Sequence, residues 1–258
     1  MTTPGAADRI ATARSDLNAI RDDLIGQLRQ ERSRARGPLM RMLHDVDGML
    51  TPGYPFASQA GQDRVVARIL GGRRNGIFLD VGAYDGRTGS NSLYFETHLG
   101  WTGVLVEPVK QHREMAELWR RAPCLPYAVS DRDGEASFIA VTQGYTQMSG
   151  LAGPYDAGLL DRVRADPRHV EDRITVPTRT LNSICHEAGL SRIDFVSLDI
   201  EGGEQAAITA FDHERIRVDV WAIENNAGSS LIPALMRDRG YNLAEFCGVD
   251  DIYVRNDL

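Results

Sequence analysis

The sequence predicts an α/β protein whose mostly parallel sheet ends in an antiparallel hairpin, preceded by a helical extension. Three observations carry this. From residue 60 onward, short apolar runs of strand length alternate with amphipathic stretches of helical period, the pattern of consecutive β-α units in one sheet. Two of the runs end in an acid where the chain turns: Ile77–Asp80 leads into Gly82, and Gly103–Val106 leads into Glu107-Pro108. The last two runs, near 241–247 and 250–254, lie too close together for a crossover helix and must pair antiparallel.

Taken in order, residues 1–50 read as a helical extension. Ile10, Ala13, Leu17, Ile20 and Leu24 repeat at a/d spacing with charges between them, and Leu28 sits one turn further on, so one apolar stripe runs along a helix. That stripe suits a helix packed on the main domain, a homodimerisation arm or a lid. The run Arg29–Arg36 reads as a solvated helix end. Thr51–Phe56, with two prolines, is a junction, and residues 51–258 form the main domain. Strands are expected near 77–82, 103–107, 124–128, 136–142, 193–198, 218–223, 241–247 and 250–254. Helices are expected near 60–70, 89–97, 109–120, 180–188, 203–211 and 229–239. Residues 143–173, broken by Gly144, Gly150, Gly153, Pro154 and Pro167, read as a long functional loop that caps the substrate.

Composition narrows the partners. The 258 residues are 42% hydrophobic and 25% charged, and 29 basic against 36 acidic side chains give a net charge of −7. An acidic total argues against a nucleic-acid partner. No apolar run has transmembrane length and the start does not resemble a signal peptide, so no membrane partner is expected. Cys124, Cys185 and Cys247 are odd in number and far apart. They suggest neither a disulfide framework nor a zinc site, and a cytoplasmic location follows.

The strand-end acids suggest a ligand. Glu107 is placed to accept both hydroxyls of a ribose, while Gly82 and Gly86 leave room for close approach to the turn. A dinucleotide would prefer G-x-G-x-x-G. Here the turn reads D-x-G-x-x-D-G, and Asp80 and Asp85 would repel a pyrophosphate. They suit a ligand bearing an ammonium and a sulfonium, as S-adenosylmethionine does.

Six stretches carry a resemblance: Ser58–Asp63, Phe78–Gly86, Ser90-Asn-Ser92, Leu99–Gly103, Glu107-Pro108 and Ser197–Gly202. Together they resemble the FkbM family of S-adenosylmethionine-dependent methyltransferases, over roughly residues 55–255. The resemblance implies a Rossmann-like class I methyltransferase fold with a mostly parallel seven-stranded sheet. It also implies methylation of a hydroxyl on a sugar or natural-product scaffold. Methylation of nitrogen, a non-catalytic binding protein and a nicotinamide-dependent oxidoreductase are the rival readings.

Site residues follow from the strand ends. For the cofactor these are Asp80, Gly82, Asp85 and Gly86 after the first strand, with Ser90 either facing the ligand or capping the next helix. Glu107 and Pro108 follow the second strand. Ala128 and Val129 would flank the adenine, with Ser130 or Asp131 meeting its amino group; Asp131 equally suits a turn. Gln62 either folds over the cofactor, as the resemblance implies, or caps a helix. At the reaction end, Asp199, Glu201 and Glu224 close two adjacent strands. Their crowding would raise a pKa and make a general base, with Asp199 also near the cofactor. It would equally suit a divalent cation, and Asp199, Glu224 and the amide oxygen of Asn225 are hard ligands for Mg2+. Glu204 reads as a helix N-terminal acid.

Overall fold

The computed structural model describes residues 5–258. A helical hairpin, α1 (Ala6–Gln30) and α2 (Arg36–Leu50), opens the chain and is followed by α3 (Gln62–Ile69). Strands and helices then alternate through β1 (Ile77–Val81), α4 (Leu93–Leu99), β2 (Thr102–Val106), α5 (Lys110–Trp119) and β3 (Cys124–Leu125). A second unit comprises β4 (Ala128–Val129), β5 (Gly134–Gln143), β6 (Gly150–Leu151), α6 (Ala157–Arg164) and β7 (Val170–Arg179). The chain then returns through α7 (Leu181–Glu187), β8 (Arg192–Leu198), α8 (Glu204–Ala210) and β9 (Arg217–Glu224). It ends with α9 (Leu231–Asp238), β10 (Tyr241–Cys247) and β11 (Asp250–Arg255).

The main sheet has seven strands in the order β10-β11-β9-β8-β1-β2-β3. From β9 to β3 the pairing is parallel, while β11 is antiparallel to both neighbours. This is a Rossmann-like α/β fold. The chain leaves β1 toward β2 on one side and resumes at β8 on the other, so the switch point lies between β1 and β8. The central strands are buried on both faces, which is why they read as near-continuous apolar runs. Phe78, Leu105, Phe195 and Val220 pack on one face with Phe95 and Trp101. Leu79, Val106, Val196 and Trp221 pack on the other with Ile184, Ile208 and Met236.

Two expectations need correction. Residues 143–173 are not one long loop. They carry the end of β5, β6, α6 and the start of β7, within a four-stranded sheet of order β4-β7-β5-β6. The expected 124–128 strand divides at Pro126, sending β3 to the main sheet and β4 to the second. Between these elements 144–149, 152–156 and 165–169 stay irregular. The basic run is also not a solvated end. Arg34 pairs with buried Asp251, and Arg36 pairs bidentately with Glu245, pinning a separate helix, α2, against β10.

The expected stripe on the first helix is buried only toward its end. Leu24 and Leu28 join the core with Met40 and Leu43 of α2, whereas Ile10 and Ile20 are exposed. No helix among the described residues is long and apolar enough to cross a membrane.

Candidate active site

Most candidate residues lie at or near the carboxyl ends of the parallel strands, where ligands of open α/β sheets bind. The turn after β1 is built by the protein's own packing. At Gly82, φ is +80° and a Cβ would stand 1.8 Å from the carbonyl oxygen of Asp199; at Gly86, φ is +73° and a Cβ would meet Ala116 and Arg120 at 2.9 Å. Glycine is therefore required at both positions by the protein's own packing against the ends of β8 and α5. Asp80 is buried and accepts from the hydroxyls of Ser92 and Ser90. Burial raises its pKa, while the nearby Arg120 guanidinium opposes the rise. Ser90 also accepts the N–H groups of Ser92 and Leu93 at the start of α4, so it caps the helix while facing the cavity. Asp85 does not face the cavity. Its carboxylate accepts the N–H groups of Arg87 and Thr88 at 2.9 and 2.7 Å, closing a turn.

Glu107 sits at the tip of β2 between two small cavities. Its carboxylate accepts the Tyr84 N–H at 3.1 Å and the Val109 N–H at 2.7 Å, with His112 Nδ1 at 3.7 Å. These bonds fix the carboxylate and leave lone pairs for a further donor. On one side, a polar cavity is lined by Asp80, Gly82, Tyr84, Asn91, Thr146 and Ser149. On the other, Pro108, Ala128, Val129, Phe138, Leu151 and Ile200 line a mainly apolar slot suited to an aromatic base. Ser130 and Asp131 lie outside it. The Ser130 N–H bonds Arg179 O and its hydroxyl bonds Asp131, because β4 leaves the main sheet and carries them toward β7. Gln62 is buried further along. Its Nε2 donates to Asp250 and its Oε1 accepts the Ala60 N–H, which takes it away from the cofactor cavity and into the next one.

That third cavity, of about 360 Å³, is lined by Gln59, Gln62, Asp199, Glu201, Glu224 and Asp250, among others, and shares Gln59, Asn91, Gln147 and Asp199 with the polar cavity. Ligand oxygens of Asp199, Glu201 and Glu224 lie within 4.8 Å of one another. Burial and the neighbouring carboxylates push Asp199 up to about 8 and Glu201 up to about 9. Glu224 is raised well above its usual range for the same reasons. Glu201 is held at φ +60°, a strained setting for a non-glycine residue.

Asn225 does not join this group. Its Nδ2 donates to Asp251 and Ser229 O, its Oδ1 accepts the Ser229 N–H, and Arg34 holds its carbonyl. The three converging acids are thus Asp199, Glu201 and Glu224, with Glu201 standing where Asn225 was expected. Glu204 accepts the N–H groups of Ile200 and Gly202, as a helix N-terminal acid should.

Tyr84, His112, Thr146, Gln147, Ser149 and Asp250 also line these cavities and were not singled out from the sequence; Asn91, beside Ser90 at the start of the next helix, lines both the polar and the third cavity. Asn91 and Tyr84 lie inside the motifs already read, so position offered a signal. Thr146 and Gln147 offered none, because an unread sheet delivers them.

Residues 80–243 match the model of the methyltransferase FkbM domain. The chain belongs to the FkbM methyltransferase family. It therefore carries a methyltransferase domain, for which S-adenosylmethionine is the methyl donor. The match begins at Asp80 and ends in β10, leaving α1, α2 and α3 outside it. No curated protein matches the chain. Among solved structures, a putative RNA methyltransferase from Pyrococcus horikoshii is similar, with 10% identity, 76% of this chain and 82% of that chain covered, and a TM-score of 0.38.

Proposed function

We propose that this FkbM-family protein is an O-methyltransferase that methylates a hydroxyl of a small-molecule, sugar or natural-product acceptor. The observation that carries this reading is the carboxylate trio beside the donor turn, with Glu201 and Glu224 buried and Asp199 half-buried. A hydroxyl attacks carbon poorly while protonated and needs a base of matched pKa, whereas an amine does not. That contrast favours O- over N-methylation. The acidic lining favours a small acceptor over a nucleic acid.

When bound, S-adenosylmethionine supplies a methyl group on a sulfonium leaving group. The apolar slot at Ala128 and Val129 would take the adenine, Glu107 the ribose hydroxyls, and the Gly82–Asn91 turn the amino-acid end. One of Asp199 and Glu201, in its ionised form, would then accept the acceptor's hydroxyl proton as the oxygen–carbon bond forms and the carbon–sulfur bond breaks. Held up to about 8 and 9, they are strong enough bases to take that proton as the barrier is crossed. Much of the rate would come from alignment.

The same trio suits a hard divalent cation. Asp199, Glu201 and Glu224 offer three oxygens, and Asn91, which lines the same cavity, has a buried Oδ1 without a hydrogen-bond partner. Mg2+ held there would screen the carboxylates and help to ionise a coordinated hydroxyl. Three unpaired cysteines support a reducing, cytoplasmic setting, and exposed Ile10 and Ile20 on α1 support a homodimer through that helix.

The test is thermal shift with S-adenosylhomocysteine, NAD and buffer, followed by methyl transfer to hydroxylated acceptors with and without chelator. Stabilisation by S-adenosylhomocysteine and a mass-resolved O-methyl product are expected. Stabilisation by NAD alone, or an N-methyl product, would reject the proposal.

A further inference from the structure

Tyr84 occupies a backbone conformation that aromatic residues rarely adopt, with φ +49°. Strain of this kind persists where the surroundings hold it, and it gathers at ligand clamps. Three contacts hold Tyr84. Its N–H donates to Glu107 at 3.1 Å, its hydroxyl bonds the Thr146 hydroxyl at 2.7 Å, and its ring meets His112 edge-on at 4.4 Å. Thr146 belongs to 144–149, the irregular stretch between β5 and β6. The other hydrogen bonds of that stretch stay within it or within the second sheet: Met148 N–H to Tyr145 O, Ser149 hydroxyl to Thr146 O, Val141 N–H to Ser149, and Tyr155 hydroxyl to Met148 O. Among the described residues, Tyr84–Thr146 is the one hydrogen bond that fastens 144–149 to the cofactor turn.

Volume makes this bond matter. The polar cavity beside the turn measures about 60 Å³ and the apolar slot about 30 Å³, whereas pockets for small ligands start at about 300 Å³. Most of the remaining wall is strand end and turn held by the main sheet. Stretch 144–149, which supplies Thr146, Gln147 and Ser149 to the cavity roof, has no ladder of its own and is tied to the turn by that single bond. It also supplies Gln147 and Met148 to the acceptor cavity. Opening for the cofactor therefore dismantles a wall of the acceptor site, and closing rebuilds it.

We propose that Tyr84 is a positioning residue whose hydroxyl latches 144–149 over the bound cofactor, so that the acceptor site is complete only after the cofactor has entered. The proposal rests on the methyltransferase reading. It predicts that Tyr84→Phe, which keeps the ring on His112 and the N–H on Glu107, raises both association and dissociation rates of S-adenosylhomocysteine about two- to tenfold, the worth of one hydrogen bond. The dissociation constant should move less than either rate. Thr146→Val should do the same, and the double variant should match the singles, because all three lose one shared bond. In wild type, S-adenosylhomocysteine should slow hydrogen exchange across 144–149.

Stopped-flow binding and exchange mass spectrometry read these outcomes. Unchanged rates in both single variants, effects that multiply in the double variant, or exchange at 144–149 indifferent to the ligand would overturn the latch. Failure of wild type to bind S-adenosylhomocysteine would instead remove the methyltransferase reading and the latch with it.

Discussion

Replacing Glu224 with glutamine should make the metal-free protein more stable while weakening its chemistry. Glu224 is 6% exposed and shares a 4.8 Å neighbourhood with Asp199 and Glu201. Two ionised carboxylates at that separation repel by about 3 kcal/mol at an effective dielectric near 20. The raised values of about 8 for Asp199 and about 9 for Glu201 set the direction with pH. A carboxyl whose pKa is higher folded than unfolded favours the fold below its unfolded pKa, near 4, where it is protonated in both states. That advantage is lost as pH rises toward the folded values. The wild-type protein in chelator should therefore lose stability steadily from about pH 5 to pH 9.

Glu224→Gln removes one ionisable carboxyl from the trio and keeps the shape, and its amide can still bond Asn226. Stability near pH 8.5 should rise by about 3 kcal/mol, or about 6–10 °C in melting temperature for a chain of this size, with a shallower pH slope. Added Mg2+ should stabilise wild type more than the variant. Differential scanning fluorimetry across pH, with chelator or Mg2+, measures all of this. A variant that melts lower at pH 8.5, or that keeps the wild-type slope, would refute the reasoning, since the three acids would then not be repelling one another.

Other predictions concern the frame around the site. Glu107→Gln should weaken S-adenosylhomocysteine binding by about 2 kcal/mol, roughly 30-fold, through loss of charge-assisted hydrogen bonds, and unchanged affinity by calorimetry would mean the ribose lies elsewhere. Gly82→Ala should cost at least about 2 kcal/mol by urea unfolding, from a left-handed φ and a Cβ at 1.8 Å from Asp199 O; a neutral result would show that the β1 and β8 ends can part freely. Arg120→Met should cost about 3–5 kcal/mol, because it leaves buried Glu96 with only the exposed Arg121 guanidinium at 3.7 Å, and wild-type stability would disprove that dependence.

Much of the main sheet was legible because its signals are local. Ile77–Val81 and Ile193–Leu198 are short apolar runs that only a doubly covered parallel strand buries, and Glu107 falls at a strand tip set by Pro108. The second sheet was not legible. β7 exposes much of its length, carries Pro177, and pairs with β5 across the intervening residues 144–169, so neither period nor propensity announces it. The same limit governs the site residues. Asn225 reads as a ligand because it follows Glu224, but Arg34, some 190 residues away, and Asp251 turn it aside. Ser130 and Asp131 follow Val129 in sequence and leave the slot when β4 changes sheets.

The chain on its own determined the order of elements, the acids that close its parallel strands and the antiparallel finish, since each depends on neighbours within a few residues. Tertiary structure alone decided which acids converge, which glycines the packing demands and what roofs the cavities. Those outcomes depend on distances between residues far apart along the chain, and such distances are set only when the two sheets pack.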